Sequence, residues 1–125
     1  MLSDNPISIQ VETQYIEPQS CPAENRYAFA YTITIRNHGL EPVKLLTRHW
    51  LITDGNAKVQ EVHGEGVVGE QPVIRPGHHY SYTSGALLET AVGTMEGSYQ
   101  MLTDSGDHFD APIPRFSLKH PGSVH

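Results

Sequence analysis

Between residues 27 and 36 the chain alternates without a break. Tyr27, Phe29, Tyr31, Ile33 and Ile35 fall on one side, and Ala28, Ala30, Thr32, Thr34 and Arg36 on the other. A period of two, with aromatic and β-branched residues on the apolar side, belongs to a strand lying on a core and excludes a helix face. The same alternation occurs at Ile7–Tyr15, Tyr80–Tyr82 and Met95–Met101, and Val43–Thr53 and Lys58–His63 read as a strand and its returning partner. Val73-Ile74 reads as a short strand, and Phe109–Leu118 as an edge strand marked by Pro112 and Pro114. Turn signals separate these segments: Asn37-His38-Gly39, Asp54-Gly55-Asn56, Pro76-Gly77, Ser84-Gly85 and Asp104–Asp107. One helical turn is expected, in ALLETAV.

Seven or eight short strands with regular turns predict an all-β sandwich of two antiparallel sheets. The single Cys, Cys21, excludes the intersheet disulfide of immunoglobulin domains, so a fibronectin III/immunoglobulin-like sandwich fits best. Trp50 is expected in the core, on one face with Leu46 and Ile52. The 125 residues make one domain, with a core over about residues 7–118 and a flexible tail at 119–125. Lys and Arg number 8 against 14 Asp and Glu, a net charge of −6, which argues against a general nucleic-acid binder. No apolar run is long enough to span a membrane, and MLSDNPISIQ has no signal-peptide character. With one Cys, the expected location is cytoplasmic.

Chemistry suggests itself at one place. His63-Gly64-Glu65-Gly66-Val67-Val68-Gly69 contains G-x-G-x-x-G, which binds dinucleotides when a strand feeds it and a helix follows. Pro72 opposes that helix, so Gly64–Pro72 is expected as a loop. Two uses remain. The loop residues Gly64, Glu65, Gly66, Gly69, Glu70 and Gln71 could contact a partner. Alternatively, the glycine amides could cradle an anion, with Glu65 and Glu70 on a Mg²⁺ and Arg48 steadying a phosphate. Leu87 and Leu88 are the candidate apolar interface. His108 and Asp110 share a face but offer only two ligands, so no metal set is assigned, and His49 is expected on the surface. Cys21 lacks a neighbouring base, no catalytic motif is present, and no catalytic residue or cofactor is expected. An edge strand near Pro112 and Pro114 either pairs across a homodimer or is blocked by those prolines.

The segments RHWLITD, VHGEGVVGEQP, PGHHYSYTSG, GTMEGSYQM and IPRFSL resemble the bacterial ApaG (CorD) family over roughly Ile7–Leu118. The resemblance implies a fibronectin III-like sandwich. It also implies association with diadenosine polyphosphate metabolism and with cobalt and magnesium resistance, and a protein-binding role in related eukaryotic domains. The resulting expectation is a non-catalytic protein-interaction module. The alternative is a binder of a Mg²⁺-complexed nucleoside polyphosphate.

Overall fold

The computed structural model describes residues 5–122. Eight strands carry the fold: β1 (Ile7–Tyr15), β2 (Tyr27–Asn37), β3 (Val43–Asp54), β4 (Val59–Glu65), β5 (Val73–Ile74), β6 (His79–Leu88), β7 (Val92–Thr103) and β8 (His108–Lys119). They form two antiparallel sheets, β1-β2-β6 and β4-β3-β7-β8, with β5 added to the start of β3. The alternating residues of β2 supply the centre of the smaller sheet: Phe29, Tyr31, Ile33 and Ile35 are buried against Leu45, Trp50, Met95, Tyr99, Met101 and Leu118 of the larger one. A buried hydrogen bond of 2.6 Å between the Tyr82 and Tyr99 hydroxyls ties β6 to β7 across the sandwich.

Edges decide where the sandwich is closed. On one side β1 lies against β8, which is an edge strand as its prolines require. On the other side the edges are β4 and β6, and among the described residues no strand joins them.

Several local expectations change. ALLETAV makes no helical turn. Ala86-Leu87-Leu88 completes β6 opposite Phe29, Ala28 and Tyr27, and the chain bends over residues 89–91. Ladder pairing and the burial of Leu88 outweigh local helix preference there. Leu46 does not share Trp50's face. The pairing of β3 with β7 shifts between Leu45 and Thr47, so Leu46 is the extra residue of a bulge. The core-facing set of β3 therefore changes from Val43 and Leu45 to Arg48, Trp50 and Ile52. Lys119 still belongs to β8, and the His120 amide donates to the Ala91 carbonyl at 2.8 Å while its ring meets Tyr15 and Tyr27 edge-on. The rest of the expected tail, residues 123–125, lies outside the described residues.

Asn37 is the one buried polar side chain of the described core. Its amide donates to the carbonyls of Glu41 and Ile74, each at 2.9 Å, and its Oδ1 accepts from the Gly39 amide. One side chain thus satisfies the turn after β2 and anchors β5, which forms the far bank of the glycine segment.

Candidate functional site

The glycine segment lies along one edge of β3, between β4 and β5. It is shorter than the sequence implies, because β4 continues through Gly64 and Glu65, opposite Arg48 and Thr47. Gly64 lets the Arg48 guanidinium lie close over the strand: a Cβ would come within 2.6 Å of its central carbon, and the flexible Arg48 side chain would have to move aside. Val67 and Glu70 then exchange backbone hydrogen bonds of 2.8 and 3.0 Å, closing a two-residue hairpin. Both tip residues have positive φ, 42° at Val68 and 83° at Gly69, as this mirror-image turn requires. Glycine meets that demand freely, whereas a β-branched residue carries strain. Gly66 has φ 62°, and a Cβ on it would collide with the Glu70 carbonyl. No helix starts here. The hairpin instead drives Val67 into the core, fully buried, and leaves Val68 exposed at the tip.

Most polar groups of the segment are satisfied by the chain itself. The Gly66 amide and the Gln71 side-chain amide both donate to the bulged Leu46 carbonyl, at 2.8 and 2.9 Å. Arg48 Nη1 donates to the Glu65 and Gly66 carbonyls at 3.1 and 2.9 Å. Arg48 does face the loop, but it lies under it and braces its backbone. Glu70 points away toward the Tyr80 hydroxyl, 3.5 Å away. Burial, followed by the Glu70 charge, pushes the Tyr80 hydroxyl pKa above its ordinary value, and burial does the same more strongly to Tyr82 and Tyr99. These phenols stay protonated and serve as hydrogen-bonding groups.

Leu87 and Leu88 separate by the strand period. Leu88 is core, and Leu87 is 63% exposed on the outer face of β6. Leu87 borders a groove of ≈ 340 Å³ on the open side of the sandwich, with Ile52 and Gln60 from the larger sheet and Arg26 from the turn before β2. The groove carries charges of both signs, including a Lys58–Glu89 ion pair at 3.7 Å.

A second polar constellation escaped the sequence reading. His49 and His63 are directly opposite each other in the β3–β4 ladder, on the outer face of the sheet. Their rings stack with centroids 4.2 Å apart and planes 7° from parallel. Glu61 lies two residues before His63 on the same face, and its Oε2 is 2.7 Å from His49 Nε2 and 3.1 Å from His63 Nε2. The hydrogen bond from His49, then that from His63, lowers the Glu61 pKa below its ordinary 4.5. The trio is the metal-competent group of three or more donors among the described residues, and His108 and Asp110 are not part of it. The one available signal was His49 and His63 each sitting at an outward position of neighbouring strands. Their pairing depended on a hairpin register that the intervening turn, not the motif, sets.

No helix among the described residues is long and apolar enough to cross a membrane. The family model described as the ApaG domain matches residues 17–103. Protein ApaG of Azotobacter vinelandii is 57% identical over 119 residues, covering 95% of this chain and 94% of that protein. An X-ray structure of a structural-genomics target superposes with a TM-score of 0.92 at 53% identity, covering 98% of this chain and 92% of that one. A Bordetella pertussis crystal structure described as an ApaA protein gives a TM-score of 0.90 at 45% identity, over 92% and 94% of the two chains. Sequence and structure agree over nearly the whole length, and the chain belongs to the ApaG family.

Proposed function

We propose that this ApaG-family chain is a non-catalytic protein-interaction module of the cytoplasm, and that it takes an extended peptide segment of a partner protein along the edge of β6. The observation that carries this reading is Leu87, 63% exposed on an edge strand beside the groove that opens between the two sheets. An edge strand offers backbone donors and acceptors to an added strand, and an apolar anchor beside a groove gives that addition specificity. The rim ions support it. The Lys58–Glu89 and Arg26–Glu24 pairs are exposed and contribute little to folding, so they are free to exchange for partner charges. In this reading, the family's association with diadenosine polyphosphate metabolism and with cobalt and magnesium resistance runs through a bound protein.

A photo-crosslinking residue at position 87, with one at Glu12 on the outer face of β1 as control, tests it. The expected result is one discrete heterologous adduct at 87, absent at 12, whose partner no longer binds purified Leu87→Asp protein of unchanged thermal stability. Adducts equal at both positions, or an adduct only with a second copy of the chain, would overturn it. The alternative ligand, a Mg²⁺-complexed nucleoside polyphosphate, has fewer donors to use, because Gly66 and Arg48 are already bonded to the chain. Saturable amide shifts confined to residues 64–70 on adding diadenosine tetraphosphate with Mg²⁺ would favour it instead.

A further inference from the structure

We propose that His49, Glu61 and His63 form a binding site for a divalent transition-metal ion of the zinc type, on the outer face of the β3–β4 pair. The argument starts from the ladder. Directly opposed residues of an antiparallel pair hold their side chains close on one face, and residues two apart share that face. His49 opposite His63, with Glu61 two positions back, therefore converges three donors whose ligand atoms all lie within 4.8 Å of one another. A tetrahedral zinc ion with nitrogen and oxygen ligands at about 2.0–2.1 Å holds those atoms roughly 3.3 Å apart. The two contacts to Glu61 Oε2, 2.7 and 3.1 Å, are already near that spacing. Both imidazoles present the same nitrogen, Nε2, to the carboxylate.

Two adjustments complete the site. Each Nε2 must give up the proton it now shares with Glu61 before its lone pair can bind. A neutral imidazole carries that proton on Nδ1 instead, and only an imidazolium releases one to solvent. The nearly parallel rings must also splay for their lone pairs to converge on one ion. Neither movement disturbs the core, because the side chains of Glu61 and His63 are 54% and 69% exposed and that of His49 is 29% exposed. Three protein ligands leave a fourth position for water, the arrangement of an open site. The donor set also selects. Two imidazoles suit zinc, nickel or copper, whereas Mg²⁺ prefers an all-oxygen shell and keeps its waters.

The test is titration of the full chain with Zn²⁺ at neutral pH, read by calorimetry and by imidazole nitrogen NMR. The expected result is one saturable ion per chain, with the Nε2 resonances of His49 and His63 shifting together and no response to Mg²⁺. His63→Ala and Glu61→Gln, each with an unchanged amide spectrum elsewhere, should lower the affinity by at least about tenfold, since loss of even an outer-shell partner costs that much. His108→Ala should leave it unchanged. Absence of saturable Zn²⁺ binding, or binding that survives both His63→Ala and Glu61→Gln, would overturn the proposal.

Discussion

Arg48 and His49 are neighbours on β3, yet they belong to two different kinds of surface. Arg48 points inward with Trp50 and lies beneath the glycine hairpin, where it donates to the Glu65 and Gly66 carbonyls. His49 points outward and meets His63 and Glu61 in solvent. Beneath the hairpin, Arg48 closes on the chain's own backbone, and a fully buried Val67 holds the hairpin in place. On the outer face, polar groups meet only one another, and water reaches them. The motif most visible in the sequence thus uses its glycines for backbone geometry, and the constellation proposed to take a metal is the one no motif announces. Arg48 and the Gly66 amide commit their hydrogen bonds to the fold, whereas His49, His63 and Glu61 stay accessible.

The comparison can be broken most directly at Gly66. Gly66→Ala sets a side chain against the Glu70 carbonyl at a φ of 62°, and should lose about 3 kcal/mol or more in urea denaturation. A stable Gly66→Ala protein would remove the architectural reading of the hairpin. Next in size is Arg48→Ala, which strips two carbonyls of their donor and should cost about 2 kcal/mol. Combined with Gly66→Ala, its effect should be less than additive, because both act on one hairpin. Val68→Asn sharpens the same point with the opposite sign. It replaces a β-branched residue at φ 42° with one that tolerates the left-handed region, and should gain about 1 kcal/mol.

The smallest stability effect belongs to the outer face. His49→Ala should change stability by less than about 0.5 kcal/mol while visibly moving the titration of Glu61. The Glu61 pKa is depressed in the folded chain, so the stabilisation from its imidazole partners is present above 4.5 and lost as the pH falls through the folded value. Removing His49, the larger cause, should raise the Glu61 pKa back toward 4.5, as followed by carboxyl carbon NMR. An unmoved titration would separate Glu61 from His49 and undo the outer-face cluster.

Particular residues show how far the sequence reaches. The bounds of β1 follow from Ile7–Tyr15 alone, because strict alternation leaves one strand register that buries its apolar face. The Asp54-Gly55-Asn56 signal places the β3–β4 hairpin, and Pro112 and Pro114 place β8 on an edge. Leu46 was misplaced because a bulge inserts one residue and flips the face of everything after it, and no composition signal marks that insertion. Ala86-Leu87-Leu88 was misread because its strand state comes from pairing with Tyr27–Phe29, a distant segment. Of the candidate site residues, Arg48 facing the loop and Leu87 reaching solvent follow from strand alternation once the register is known, whereas Glu61 and His63 read only as part of the strand Lys58–His63, with no ligand role.

By itself the sequence determined the fold class, most strand segments and the membership in a family, since each rests on periodicity, turn chemistry or motif that is local to the chain. Ser84-Gly85, a turn signal, instead runs within β6 because it pairs with Tyr31 and Ala30. Only the tertiary structure decided which polar groups are used up by folding and which are left accessible. It buried the amide of Gly66 in a bond to Leu46, turned Arg48 into a brace, and brought His49 within reach of Glu61 and His63. The physical reason is that satisfaction and convergence are properties of register and sheet edges, which are set by residues far apart in the chain.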